Sequence, residues 1–504
     1  MQNHPNFKLV LTVVSLFAVI TISAAPGDFD STFGNGGLVL GPHYEEAEAY
    51  AAAPLPDGKL IVAGGSFRWV YDFDYGGYLW QPGFGVVIAR YNSNGSLDTT
   101  FGSGGIVGAE FFHSAVDVAI QADGKMIVAS GGNAGLGIAR FNPDGSLDTT
   151  FDGDGIVFMN SFAARSGFKS VAIQPDGKIV AAGYTGQFVY VDGWPVLGDD
   201  FTLVRYNPDG SLDSTFGGDG IVITDIGSNI EDYDIAQSVV IQPDGKILAV
   251  GHARTGTFPT FFDNRTLVRY DPNGSLDTTF DGDGIVTTNI GQSGQWTESV
   301  AIQPDGRIVE ASCQGLVRYN ANGSLDTSFD SDGKVITPFG NEPAFVESIV
   351  IQPDGRILAA GRIGNGPDED FALVSYHIDG APDETFGGGD GKAIVDFGGA
   401  SDKAYSVALD TSGRALVAGE SNDRFAIARL LLAVPDVSIA GRVLSPGGLG
   451  LRNAVVTLTD SAGNRRTATT STLGFYSFDD IPAGETVMLT VSSRRYRFEP
   501  VTRT

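Results

Sequence analysis

The chain has 504 residues, 42% of them hydrophobic, with 69 Gly and a single Cys. That is too apolar for a disordered chain, and one Cys excludes an intrachain disulfide, so packing and strand pairing must hold the fold together. A net charge of −28 argues against nucleic acid or an anionic membrane as partner.

The first residues have the pattern of an export signal. Lys8 supplies a positive start, residues 9–22 are uncharged and apolar, and Ser23-Ala24-Ala25 offers small residues for cleavage. Residues 1–25 are therefore expected to be a signal peptide, and the mature chain to be secreted to the extracellular space, the cell surface or the periplasm. The apolar run is short for a bilayer span, so no membrane span is expected after cleavage. No Cys lies near the junction, which argues against a lipid anchor.

Beyond the signal, one turn recurs. It stands at Asp57-Gly58-Lys59, Asp123-Gly124-Lys125, Asp176-Gly177-Lys178, Asp244-Gly245-Lys246, Asp305-Gly306-Arg307 and Asp354-Gly355-Arg356, and degenerates to Ser412-Gly413-Arg414. An Asp-Gly pair between two apolar runs predicts a tight hairpin, because Gly tolerates the positive φ such turns need. A third run follows, as in Phe201 to Tyr206. A second turn, Asn207-Pro208-Asp209-Gly210-Ser211-Leu212-Asp213, then leads to a fourth run at Ile221 to Thr224. Four short strands per repeat predict one blade of a β-propeller, and seven turns predict seven blades. The nearly continuous apolar runs suit sheets covered on both faces.

Residues 29–40 are the tail of a repeat without its front, and the last repeat, which ends at residues 425–430, is a front without its tail. Together they predict one blade in which the N-terminal strand closes the ring and covers an open edge. The blocks Tyr206-Asn207-Pro208-Asp209-Gly210-Ser211-Leu212-Asp213 and Ile241-Gln242-Pro243-Asp244-Gly245-Lys246-Ile247 resemble the delta-60 repeat, a bacterial β-propeller family. The resemblance covers roughly residues 28–430. It implies a secreted or surface propeller and brings no catalytic residues.

The propeller is expected over residues 26–433. After Pro435 the period changes, and residues 434–504 are expected to form a small β-sandwich. Gly441-Arg442-Val443, Asn453-Ala454-Val455-Val456, Gly474-Phe475-Tyr476 and Ile481-Pro482-Ala483-Gly484 resemble a carboxypeptidase-regulatory-like, transthyretin-related domain. Such a module is non-catalytic. The chain stops soon after Glu499-Pro500, where these domains often continue into another strand, so an incomplete sandwich is one reading.

No catalytic residue set is expected. The histidines are scattered without metal-ligand spacing, and neither Gly-x-Ser-x-Gly nor His-Glu-x-x-His occurs. The second turn invites a calcium reading, because Asn207, Asp209 and Asp213 fall at ligand-like positions. The first ligand position there is Arg205, matched by Arg90, Arg140, Arg269 and Arg318, so an Asx-type turn with Arg paired to its carboxylates is the better expectation. No cofactor is predicted. Cys313 is expected to be a buried filler.

Long insertions fall at residues 66–85, 184–200 and 252–265, all at second-to-third strand connections, and they are expected to be loops. They carry Trp69, Tyr71, Tyr75, Tyr78, Trp80, Tyr190, Trp194, Phe258, Phe261 and Phe262, and Trp296 lies in an inter-blade connection on the same side. Asp72, Asp74, Glu231, Asp232 and Asp234 accompany them. Aromatics mixed with acids predict a face that binds polysaccharide or a surface protein. The alternative expectation is an enzyme at the central channel, such as a polysaccharide lyase, hydrolase or quinoprotein, which carboxylates converging on the channel mouth would favour. A monomer is expected.

Overall fold

The computed structural model describes residues 25–43, 47–72, 77–109, 114–131, 135–159, 165–191, 194–227, 233–257, 260–289, 297–312, 315–336, 344–364, 368–398, 401–432, 436–445, 448–459, 463–482, 487–493 and 501–503. Cys313 lies outside them. Two compact units emerge, one of residues 27–432 and one containing residues 433–504. Every regular element among the described residues is a strand, and none of them forms a helix long and apolar enough to cross a membrane.

Residues 27–432 form seven four-stranded antiparallel sheets among the described residues. Six are built from consecutive strands. The third, for example, comprises Ser166–Ile173, Ile179–Val191, Trp194–Tyr206 and Ile221–Thr224. The seventh combines Asp402–Leu409, Ala415–Ser421 and Arg424–Leu430 with the N-terminal strand Leu38–His43, in register Leu38↔Ala428 and Leu40↔Ala426.

The second strands explain why the apolar runs hardly alternate. In Ile179–Val191, Ile179 and Ala181 pack with Ile127 and Ile138 of the second sheet, whereas Val180 and Ala182 pack with Ile247 and Ala249 of the fourth. Both faces are buried, so both sets must be apolar. The same sharing continues from sheet to sheet. Leu416, Ala418 and Ile427 of the seventh share a core with Ala47, Leu60 and Val62 of the first.

Each Asp-Gly turn is held by its own side chain. Asp176 Oδ1 accepts the Lys178 N–H at 3.2 Å, and Gly177 has φ of +83°. The lysine then reaches across the sheet, with Nζ 2.9 Å from Asp213 Oδ2.

The second turn is an Asx turn with an arginine clamp. Asp209 Oδ1 accepts the Ser211 N–H at 3.0 Å. Arg205 Nε donates to Asp213 Oδ2 at 2.7 Å, Nη2 donates to Thr215 Oγ1 at 3.1 Å, and Nη1 donates to the Pro272 carbonyl of the next sheet. Its guanidinium lies 4.6 Å from the centre of the Phe216 ring. Arg90, Arg140, Arg269 and Arg318 repeat the arrangement with Asp98, Asp148, Asp277 and Asp326. Arg429 does so with Asp30, which ties the N-terminal segment to the last sheet. In the sixth sheet Ser375 takes the arginine's place, and Arg356 reaches Asp383 at 2.8 Å. Gly210 sits where a Cβ would meet the Asp152 backbone nitrogen at 2.9 Å, because the Asp152 N–H donates to the Asp209 carbonyl of the following sheet.

The insertions expected as loops are instead strand extensions. Leu60–Asp72 pairs with Gly77–Tyr91, Ile179–Val191 with Trp194–Tyr206, and Ile247–Thr257 with Thr260–Tyr270. These segments are rich in Tyr, Trp, Phe, Val and Thr, which favour paired backbone, and loops of this length seldom stay unstructured in compact domains. Three two-stranded arms result.

Residues 433–504 contain a two-stranded sheet of Asp436–Arg442 with Phe475–Pro482. A four-stranded sheet joins Arg465–Thr469, Val455–Thr459, Val487–Ser492 and Val501–Arg503. Val443, Ala454, Val456, Leu458, Tyr476, Phe478 and Val487 form their core.

Candidate functional site

The first strands of the seven sheets neighbour one another in order, and that of the seventh neighbours that of the first. Hydrogen bonds link several of them. Ser170, Ser299, Ser348 and Ser406 Oγ accept the N–H groups of Val239, Ile349, Val407 and Ala52, and Asp117 Oδ2 accepts that of Val171.

Every first strand also carries a register shift against its second strand at the same place. The shifts fall between Ala49 and Ala51, Ala115 and Asp117, Phe168 and Ser170, Ala236 and Ser238, Thr297 and Ser299, Val346 and Ser348, and Ala404 and Ser406. The seven extra residues are Tyr50, Val116, Lys169, Gln237, Glu298, Glu347 and Tyr405. A bulge frees its extra residue from the pairing pattern and re-aims its side chain. These residues are at equivalent places on neighbouring strands, and several meet. The Tyr50 and Tyr405 rings lie 5.2 Å apart, and Glu298 interacts electrostatically with both Lys169 and Glu347.

One side of this set is dominated by carboxylates. Arg362 lies 3.5 Å from Glu347 and 3.4 Å from Glu369, and Lys403 lies 2.7 Å from Glu420, which also accepts the Tyr405 hydroxyl. Glu298 makes no hydrogen bond or ion pair with a described residue. Burial and the neighbouring Glu347 push its carboxyl up to about 8, against the pull of Lys169 and Arg362. Burial likewise raises Glu347.

The other side is basic. A cavity of about 460 Å³ is lined by Arg165, Lys169, Tyr184, Tyr233, Ile235, Gln237, His252, Arg254 and Asp263. It lies at the roots of two arms, since Tyr184 belongs to the second, and His252, Arg254 and Asp263 to the third. Arg165 pairs with buried Asp199 at 3.2 Å and Arg254 with Asp263 at 2.9 Å. Arg254 lies 4.7 Å from the centre of the Tyr233 ring. Burial pushes the His252 imidazole down to about 4, so it is neutral at physiological pH. Lys169 makes no hydrogen bond or ion pair with a described residue, and burial lowers its ammonium pKa.

The aromatic residues singled out from the sequence sit on the arms. Backbone register places Trp69 opposite Trp80 and Tyr71 opposite Tyr78 on the first arm. Tyr190 stands opposite Pro195 and Trp194 opposite Val191 on the second, and Phe261 and Phe262 lie on the third opposite Gly256 and Thr255. Tyr75, Phe258 and Trp296 lie outside the described residues, as do Asp74, Glu231 and Asp232. Asp234 is not part of an exposed acidic face: it is buried, and its Oδ2 accepts the Ile226 N–H at 2.9 Å.

Asp234 belongs instead to an acid triad with Asp200 and Asp225, which recurs at the equivalent connection as Asp370, Asp396 and Asp402. One oxygen from each member lies within 4.8 Å of the others. The last Asp of each triad anchors its connection, Asp402 Oδ2 accepting the Phe397 N–H at 2.7 Å. Among the described residues these two triads are the groupings whose oxygens could gather round a divalent cation.

Seven repeated four-stranded sheets, packed face to face with their first strands together, place the chain in the β-propeller class. A family model described as "Domain of unknown function (DUF5122) beta-propeller" matches residues 76–101, 121–151, 174–216, 242–280, 303–329 and 352–386. Comparison with curated proteins gave no match. Among solved structures, virginiamycin B lyase from Staphylococcus aureus is 11% identical, covering 78% of this chain and 100% of that one, with a TM-score of 0.45. The WD40 β-propeller domain of Doa1 is 12% identical, covering 78% and 96%, with a TM-score of 0.39. PorZ, an essential bacterial surface component of the type-IX secretion system of Porphyromonas gingivalis, is 13% identical over 91% of this chain and 59% of that one, with a TM-score of 0.39. Such distant likenesses carry no argument about activity.

Proposed function

We propose that this chain is an exported recognition protein, a closed seven-bladed propeller that binds a polysaccharide or a cell-surface protein at its arm-bearing end. The cavity at the roots of two arms carries this reading, because it puts polar and charged groups beside segments rich in Tyr, Trp and Phe. Sugar and protein surfaces both offer what such a mixture recognises, a hydroxyl-rich or polar ligand with rings or apolar faces to cover. Closure of the ring is supported by the core shared between the seventh and first sheets and by the Ala52–Ser406 hydrogen bond at 3.2 Å. Residues 434–504 are assigned a non-catalytic, carboxypeptidase-regulatory-like role as an accessory module.

A glycan and cell-envelope binding screen tests this. Trp69→Ala, Trp80→Ala and Trp194→Ala together are expected to abolish binding while the circular dichroism melt is unchanged. Retained binding with a lowered melting temperature would instead make the arms a packing cap.

One observation favours a second reading, an enzyme at the centre. Glu298 is influenced by Glu347, and Glu347 by Glu369, and Glu298, with its raised pKa, has the protonation behaviour of a general acid or base. Incubation with acidic polysaccharides, followed by assays for new reducing ends and unsaturated products, tests it. Equal product from wild type and Glu298→Gln removes Glu298 from that role.

A further inference from the structure

We propose that the cavity between the second and third arms is a specific site for a sugar acid, and that Lys169 binds its carboxylate. This deepens the recognition reading and rests on it. The chain carries 60 acids against 32 Lys and Arg, yet three cations line this one cavity. Two of them are already committed, Arg165 to Asp199 at 3.2 Å and Arg254 to Asp263 at 2.9 Å.

Lys169 is the remaining cation. The bulge between Phe168 and Ser170 turns it out of the sheet, and it is half-buried without a hydrogen bond or ion pair to a described residue. The acidic group that acts on it is Glu298, whose own carboxyl burial pushes up. An ammonium partly withdrawn from water without a bonded partner is costly, and an entering carboxylate offsets that cost.

The rest of the lining selects the body of the ligand. Gln237, Tyr184 and neutral His252 are hydrogen-bonding groups, and Ile235 is the one aliphatic residue among the lining residues. Such walls suit a ring bearing hydroxyls and not a fatty acid. The volume, about 460 Å³, lies within the range of small-ligand sites. A net charge of −28 disfavours densely charged polyanions, so the ligand is a saccharide whose carboxylates are isolated, of the uronic acid type.

The test uses the full chain and isothermal titration calorimetry with a uronate-containing oligosaccharide and its carboxyl-reduced, neutral counterpart. Wild type is expected to prefer the acidic form by about ten- to a hundredfold, the span of a hydrogen bond to a charged group. Lys169→Met is expected to lose that preference and Lys169→Arg to keep most of it, both with an unchanged melt. Equal binding of the two oligosaccharides by wild type, or an unchanged preference in Lys169→Met, overturns the inference while recognition by the arms stands. Binding of an acidic peptide but not of the oligosaccharide also overturns it. Binding of neither, together with an empty envelope screen, removes the recognition reading as well.

Discussion

Replacing Arg205 with Met keeps the aliphatic stem and removes the guanidinium from the clamp. The change deletes the ion pair to Asp213 at 2.7 Å, the bond to Thr215 at 3.1 Å, the link to the Pro272 carbonyl of the next sheet and the contact with Phe216. Asp213 is only 4% exposed and is left with Lys178 at 2.9 Å and the Thr215 cap. Removing one partner of a buried pair costs about 3–5 kcal/mol, and the surviving Lys178 contact points to the lower end, about 3 kcal/mol. Urea unfolding followed by circular dichroism measures it without the ionic screening of guanidinium. The double variant Arg205→Met/Asp213→Asn is expected to recover about 1 kcal/mol, because the buried carboxylate, left with half of its cationic partners, is replaced by a neutral amide.

The effect has a defined pH window. Burial alone would raise the Asp213 carboxyl, but bonds from Lys178 and Thr215 and the charge of Arg205 hold it well below the usual carboxylate range. A carboxyl depressed in the folded state adds stability above its unfolded value, about 3.9, and loses it as pH falls towards the folded one. The gap between wild type and Arg205→Met is therefore full above about pH 4 and shrinks below it. A cost under about 1 kcal/mol at pH 7, or a double variant weaker than the single, would falsify the clamp.

Two further outcomes follow from other parts of the structure. Glu298 has the opposite sign: its folded pKa of about 8 lies above its ordinary 4.5, so it costs stability as pH rises between these values. Calorimetric scans should show Glu298→Gln melting higher than wild type at pH 9 and alike at pH 4; parallel curves would refute the burial argument. Deleting residues 27–43 should expose the Arg424–Leu430 edge and leave Arg429 without Asp30, which lies 2.9 Å away. Size-exclusion chromatography is expected to show aggregates, and a soluble monomer with an unchanged melting temperature contradicts the prediction.

The repeat grammar was legible because turns are local. Asp176-Gly177-Lys178 and Asn207 to Asp213 specify their backbone with side chains two residues away. Arg205 also signalled itself, since a cation stood where a cation ligand would be needed. The arms were misjudged as loops because Gly and Pro within them masked a β-forming composition. The bulge residues escaped notice altogether. Lys169, Gln237 and Glu298 occupy apolar runs, where a polar residue looks like ordinary alternation, and nothing local marks a register shift. Aligning the repeats on the serine that follows, as in Ser170, Ser238, Ser299, Ser348 and Ser406, was the signal that could have found them.

The seam between Leu38–His43 and Arg424–Leu430 also sets how residues 27–432 respond to tension. The Gly27 N–H donates to the Leu431 carbonyl at 2.7 Å, and the Leu431 N–H to the Asp28 carbonyl at 2.9 Å, so this unit begins and ends side by side. A pull on its two ends loads the outermost of these bonds first, and then Asp30 to Arg429, one at a time. Such unzipping needs little force compared with shearing a whole ladder at once. The last sheet is thus a mechanical fuse, peeling open before the other six bear any load.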